Sequence, residues 1–413
     1  MRYTYSFSNT KKMLLAAVQI LLMLMTGCGG STDETGTGSE ADNSTKTENH
    51  SETGEKKETD DAQKKPPVIG PSVEDASTEA AGGEKIVLRF AGDFTLAEEG
   101  GEGVCMPIME TLDDRFGGDI TQVFSSDLLE MMRSADIFML NNEFTFTDQG
   151  TPREGKTWTF RADPDRVTAY HDMGVDLVGI ANNHAYDWGK VSLLDTIATL
   201  DAAGIKHVGA GADLEEASAA VCYELGGRTF SFVAMTFVES VNSDNFGQTK
   251  PAEADSPGVL HAGADPEAAL AAVEQAKANS DYCVAFVHWG VELSEELDSN
   301  QKKYAKKLID AGADAVIGSH PHILQGFEFY KGKPILYSLG NYWFNSKLRE
   351  NCLVELTVDT GTMEVQTKYL PCLQRDSRTV LVTKEESKTN RIKEMEEISY
   401  GVKIDENGIV TAQ

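Results

Sequence analysis

Ala315-Val316-Ile317-Gly318-Ser319-His320-Pro321-His322 runs from an aliphatic stretch straight into two histidines separated by a proline. Proline has no amide hydrogen and a fixed φ, so neither a helix nor a central strand continues through position 321. The segment therefore reads as a buried strand ending in a turn that presents two imidazoles. Five other apolar runs end the same way. Residues 86–90 precede Gly92-Asp93, 137–140 precede Asn141-Asn142-Glu143, and 175–180 precede Asn182-Asn183-His184. Residues 282–287 precede His288-Trp289-Gly290, and 335–339 precede Gly340-Asn341. Open α/β sheets bind ligands at the carboxyl ends of their strands. If these runs are parallel strands, Asp, Glu, Asn and His from distant parts of the chain meet on one rim, the donor set that a hard or borderline cation requires.

Helical stretches separate the strands. The spacing predicts helices over 125–135, 162–174, 190–203, 266–279 and 299–311, and this alternation points to βαβ units. In the last of these, Tyr304, Leu308 and Ala311 share one face and four lysines occupy the other, a pattern of core packing. Residues 229–236 and 353–369 read as further strands. The latter divide at Asp359-Thr360-Gly361-Thr362 into a hairpin, so the fold class is α/β with mixed sheets. A helix over 384–398 and a short strand over 402–404 follow. Residues 97–118 and 239–264 carry no clear period. The second is rich in Asn, Asp, Gly and Pro and reads either as a lid beside the site or as surface loop.

The chain has 413 residues and a formal net charge of −29, but its first 85 residues hold too few apolar side chains to build a core. Arg2, Lys11 and Lys12 precede an apolar run over 13–25, too short to span a bilayer as a helix and suited to a signal segment. Met25-Thr26-Gly27-Cys28 resembles the bacterial lipobox, with Met25 where leucine is usual, which implies lipidation of Cys28 and a lipid anchor on the outer face of the cell membrane. Residues 29–85 read as a disordered acidic tether, 86–375 as the folded domain, and 376–413 as a C-terminal extension. So acidic a domain, with no basic run, is not expected to bind nucleic acid. A polyanionic substrate would need local help from metal ions or arginines. Beyond Cys28 lie Cys105, Cys222, Cys283, Cys352 and Cys372, an odd number without the close pairs of a thiolate zinc site. Cys222 and Cys283 fall in apolar strand-like runs and read as buried thiols. A bridge from Cys352 to Cys372 across the hairpin is left open.

His184 and Asp187 lie one helical turn apart, so the carboxylate is placed to take a hydrogen bond from the imidazole and prepare it for proton transfer. Arg161, in Lys156-Thr157-Trp158-Thr159-Phe160-Arg161, is a candidate grip for phosphate or carboxylate, or else a surface partner of Asp163 or Asp165. Trp289 and Trp343, at strand ends, either wall a pocket or pack the core.

Gly92-Asp93, Asn142-Glu143, Ala181-Asn182-Asn183-His184-x-x-Asp187-x-Gly189, His288-Trp289-Gly290-x-Glu292, Gly318-x-His320-Pro321-His322-x-x-Gln325 and Ser338-Leu339-Gly340-Asn341 together resemble the CapA family over roughly residues 88–345. That family is associated with poly-γ-glutamate capsule synthesis and belongs to the calcineurin-like metallophosphoesterase superfamily. The resemblance implies a four-layer α/β sandwich with one or two divalent ions (manganese, iron or zinc) on its rim. It implies that Asp93 and His322 hold one ion, that Asn183, His288 and His320 hold the other, and that Glu143 bridges them. His184, oriented by Asp187, would protonate a leaving group, and Asn182 with Arg161 would face the substrate, an anionic polymer or phosphoester. Polymer-synthesis membrane proteins are the implied partners. Two departures stand out: Asp93-Phe94-Thr95 replaces an Asp-x-His motif, and Glu143 replaces a commoner bridging aspartate. A non-catalytic assembly partner with a structural metal site and a general phosphoesterase are the alternatives.

Overall fold

The computed structural model describes residues 83–101, 105–238, 249–345 and 347–413. The signal, Cys28 and nearly all of the tether expected from the sequence lie outside them.

Two mixed sheets form the centre of the fold. In the larger, strand Lys85–Phe94 lies parallel to Ile137–Asn142, followed by Leu177–Gly179 and Lys206–Val208. On its other side it runs antiparallel to Arg349–Asp359, followed by Val365–Arg375, Ile409–Ala412 and Val402–Ile404. The second sheet runs in the order Leu324–Tyr330, Lys333–Leu339, Ala315–Ser319, Tyr282–His288, Arg228–Thr236 and Val221–Leu225, its four middle strands parallel.

Side chains alternate across a strand, and the buried residues divide accordingly. Phe230, Phe232, Val284, Phe286 and Ile317 join Leu88 and Phe90 in the core between the sheets, where the Phe90 and Phe232 rings lie 6.4 Å apart. Val233, Met235, Cys283, Ala285 and Val316 face the other way, onto Val273 of helix Pro266–Ala278 and Leu308 of helix Ser299–Asp310. On the outer face of the larger sheet Arg89 pairs with Glu355 at 2.7 Å and reaches Ser134 Oγ at 2.9 Å, just past helix Ser126–Arg133. The layers are thus helix, sheet, sheet, helix.

Several expectations are corrected. Residues 97–118, which show no clear period, contain helix Pro107–Phe116, whose apolar face is short and begins at a proline. The predicted 162–174 helix is a 3-10 turn, Pro164–Val167, followed by Thr168–Met173, because Asp163 caps the amide of Asp165. Cys222 is exposed, since its strand is at a sheet edge. Cys352 and Cys372 are unbridged; the register sets Cys352 against Pro371 and Cys372 against Asn351, so the two thiols occupy opposite faces. Residues 376–413 are continuous with the main core. Arg378–Leu381 pairs with Val365–Arg375, and Met395, Val402 and Val410 pack with the residues between the sheets.

One crossing positions the site. Gly340 (φ 71°) links strand Lys333–Leu339 of the second sheet to Asn341–Trp343, which pairs with Asp93 and Phe94 of the first. At Gly92 a Cβ would fall 2.0 Å from the Gly340 carbonyl oxygen. Glycine there lets the two chains touch, and the Asp93 amide donates to that same oxygen at 3.0 Å. The carboxyl ends of both sheets are thereby drawn together. Among the described residues no helix is long and apolar enough to cross a membrane.

Candidate metal centre

At this seam the strand-end clusters converge. Asp93 lies within strand Lys85–Phe94, Glu143 follows Ile137–Asn142, His288 closes Tyr282–His288, and His320 and His322 follow Ala315–Ser319. Both histidines of that turn adopt positive φ, 97° at His320 and 57° at His322, which turns the backbone back on itself and directs both rings inward. The His320 amide donates to both Asp93 carboxylate oxygens, at 3.1 and 3.2 Å.

The donor atoms fall into two groups, each spanning no more than 4.8 Å: Glu143 with His288 and His320, and Asp93 with Glu143 and His322. Glu143 belongs to both. Its Oε1 lies 3.9 Å from His288 Nε2 and 3.6 Å from His322 Nε2. Asn183 Oδ1 is 2.8 Å from His288 Nε2, on the side of the first group. His322 Nδ1 is 3.2 Å from Asp93 Oδ2 and 2.7 Å from Asn341 Oδ1. Glu143 Oε1 and His320 Nδ1 are buried without a hydrogen-bond partner. Two unmet lone-pair donors, buried and convergent, suit a cation.

Burial dominates the electrostatics of the centre. Burial drives the Glu143 carboxyl well above the usual carboxylate range, and the charge of Asp93 adds to the effect. Burial also works to raise Asp93, but the hydrogen bond and charge of His322 hold it below its ordinary value. Burial pushes His320 down to about 3 and His288 well below the usual imidazole range, with neighbouring histidines contributing. His322 is raised, because Asp93 outweighs its burial. Burial thus favours the neutral imidazoles of His288 and His320 that coordination requires, whereas Glu143 and His322, both shifted toward their protonated forms, must release protons as an ion binds.

His184 stands at the edge of both groups, its Nε2 3.9 Å from Glu143 Oε1 and its Nδ1 2.7 Å from Asp187 Oδ2. Burial opposes ionisation of Asp187, but the charges of His184 and Lys156 hold its carboxyl below the ordinary range. The Phe160 ring packs on His184 at 4.3 Å between centroids, and Phe344 packs on His322 at 4.7 Å.

The expected substrate-side residues are placed differently. Asn182 is fully buried; its amide nitrogen donates to Asn141 Oδ1 at 3.1 Å and to the Asn142 carbonyl at 2.8 Å, so it braces the strand ends from beneath. Arg161 pairs with Glu99 at 3.0 Å, not with Asp163 or Asp165, and its guanidinium lies 3.7 Å from the Trp188 ring centre. Trp289 and Trp343 are core residues, their indole nitrogens donating to the carbonyls of Tyr337 and Ser377. Asn141 emerges as the organiser of the carboxylates: its amide nitrogen donates to Asp93 Oδ1 at 2.9 Å and Glu143 Oε2 at 3.0 Å. Its place in a strand-end asparagine pair was the available signal, but nothing in the spacing separates Asn141 from Asn142.

Residues 87–346 match the family described as bacterial capsule synthesis protein PGA_cap. The chain is 32% identical over 243 residues to the PGA biosynthesis protein CapA of Bacillus subtilis, covering 57% of this chain and 62% of that protein. It is 32% identical over 209 residues to the capsule biosynthesis protein CapA of Bacillus anthracis, covering 49% of each. A probable polyglutamine synthesis accessory protein of Mycobacterium tuberculosis is 33% identical over 213 residues, 50% of this chain and 55% of that one. The similarity thus spans between about half and three-fifths of these relatives. With the family profile matched from the first strand of the fold to the crossing after Gly340, the chain belongs to the CapA-type capsule synthesis family, whose fold is metallophosphoesterase-like.

Proposed function

We propose that this protein acts in the synthesis, export or anchoring of poly-γ-glutamate or a similar envelope polymer, as a metal-dependent hydrolase or transferase held at the outer face of the membrane by lipidated Cys28. The observation that carries this reading is the Glu143 carboxylate shared by two buried donor groups. Asp93 and His322 would hold one divalent ion, Asn183, His288 and His320 the other, and Glu143 would bridge them. The oxygen and imidazole donors suit manganese, iron or zinc. Ions bound there supply Lewis-acid polarisation of a phosphoryl or carbonyl oxygen and activation of a water.

The chain's own residues do the rest. Asp187 accepts the His184 Nδ1 hydrogen and so directs Nε2 toward the centre, where a proton on Nε2 is delivered to the leaving group. Phe160 and Phe344 cover the two imidazoles and limit access of water from that side. Arg161 contacts an anionic substrate once it exchanges Glu99 for it, and Asn182 serves by holding the strand ends in place. Membrane-embedded polymer-synthesis proteins are the proposed partners.

The test is metal content of the purified chain, followed by turnover of chromogenic phosphate esters and of γ-glutamyl oligomers with each ion. Cleavage or transfer of the γ-glutamyl oligomer supports the proposal. Turnover of simple phosphate esters alone assigns a general phosphoesterase instead. A metal-free chain that turns over neither, in cells that still make polymer when it carries His184→Ala, removes the catalytic reading and leaves an assembly role.

A further inference from the structure

Lys156 belongs to neither donor group, yet its side chain is only 4% exposed. A buried ammonium keeps its charge only where acceptors replace the lost water. Here they are specific. Lys156 Nζ lies 2.8 Å from Asp187 Oδ1 and donates to the Asn183 carbonyl oxygen. The other Asp187 oxygen, Oδ2, receives the Phe160 amide at 2.6 Å and faces His184 Nδ1 at 2.7 Å. The Asp187 carbonyl accepts the Arg153 amide at 2.9 Å, so the stretch that brings Lys156 inward is tied to Asp187 on both sides of the lysine.

We propose that Lys156 is a positioning residue for proton transfer: its ammonium clamps the Asp187 carboxylate and the Asn183 peptide, so that His184 keeps its Nδ1 hydrogen on Asp187 and presents Nε2 to the metal centre. Without the ammonium, Oδ1 is a buried carboxylate oxygen with no cation beside it, only His184 at the other oxygen, and the carboxylate turns or withdraws. The imidazolium that donates from Nε2 then loses the acceptor that orients its Nδ1–H. One contact on Asn183 and one on Asp187 also set the spacing between a proposed ion ligand and the proposed proton donor. This inference rests on the reading of His184 as that donor.

The experiment uses the full zinc-loaded chain and the variants Lys156→Met, Lys156→Arg and Asp187→Asn. Three quantities are read: zinc per chain, the downfield proton resonance of the His184 Nδ1–H in ¹⁵N-histidine-labelled protein (assigned by its absence in His184→Ala), and kcat and KM on bis(p-nitrophenyl) phosphate. Zinc per chain should stay at the wild-type level in all three variants. The resonance should vanish in Lys156→Met and Asp187→Asn and persist in Lys156→Arg. Turnover in Lys156→Met should fall by about tenfold or more, up to the roughly 10²–10⁴-fold that a general acid contributes, with KM changed by less than about twofold. Adding Asp187→Asn to Lys156→Met should lower kcat by less than about threefold more, as expected of residues acting as one unit. A Lys156→Met protein that keeps the resonance, or effects that multiply, overturns the proposal. If Lys156→Met does not fold, Lys156→Gln is read by the same resonance. A wild type that turns over nothing but loses the resonance without Lys156 sinks the catalytic reading and leaves the positioning role standing.

Discussion

Glu143→Gln separates a ligand from a structural carboxylate by the sign of its effect. Glu143 is fully buried, its Oε1 has no hydrogen-bond partner, and Asp93 lies beside it. A carboxylate with such neighbours strains the metal-free fold, and a neutral amide of the same shape relieves the crowding. Metal-free Glu143→Gln is therefore expected to melt at or above the wild-type temperature. Metal reverses the order. An ion at about 100 times its dissociation constant stabilises the folded state by about 2.7 kcal/mol, which at about 2 °C per kcal/mol for a domain of this size raises the melting point by about 5 °C for one ion. Because Glu143 belongs to both groups, its replacement should remove the whole shift. Thermal unfolding of chelator-treated protein with and without added zinc or manganese, alongside metal analysis, measures both halves. A variant that keeps the metal-induced shift, or a metal-free variant more than about 1 kcal/mol less stable than wild type, refutes the reasoning.

His184→Ala is expected to keep its full metal content while losing about 10²–10⁴-fold in turnover, read by metal analysis and kinetics on one sample. Acid should destabilise the metal-free protein through His320. Folded, this group is pushed to about 3, whereas the unfolded imidazole takes a proton near its ordinary value of 6.5. Between those limits the unfolded chain binds the extra proton, so stability is fully present above the unfolded value and falls as pH drops, by about 1.4 kcal/mol per unit. Urea unfolding from pH 7 to 5 should show His320→Asn with a slope flatter by about one proton; equal slopes would remove His320 as the cause. Gly92→Ala places a methyl 2.0 Å from the Gly340 carbonyl oxygen and should cost at least about 1–3 kcal/mol in denaturant unfolding while weakening metal binding by shifting Asp93.

Much of the framework was legible because apolar periodicity reports burial directly. Helix Lys190–Ala203 coincides with the predicted 190–203, and Pro266–Ala278 and Ser299–Asp310 end within one residue of expectation. Their starts are set by local chemistry: Asp265 caps the Ala268 amide, and Asp298 forms a capping box with Gln301. Strand Leu324–Tyr330 was not legible, since Gln325, Gly326 and Glu328 break its apolar pattern. Helix Leu214–Ser218 was too short to show a period.

The amino-acid order alone determined that oxygen and imidazole donors stand at the ends of apolar strands, and that the domain around them is strongly acidic. Both are local properties of composition and period. Only the tertiary structure decided which donors share an ion site, that Glu143 serves two groups, that Asn182 lies beneath the centre, that Arg161 is taken by Glu99, and that Lys156 clamps Asp187. Those outcomes depend on angstrom-scale separations between residues as far apart as Asp93 and His320, set by strand register and by the close contact of Gly92 with Gly340. Spacing along the chain carries no such information, because a side chain's partners are chosen by the packing of whole sheets.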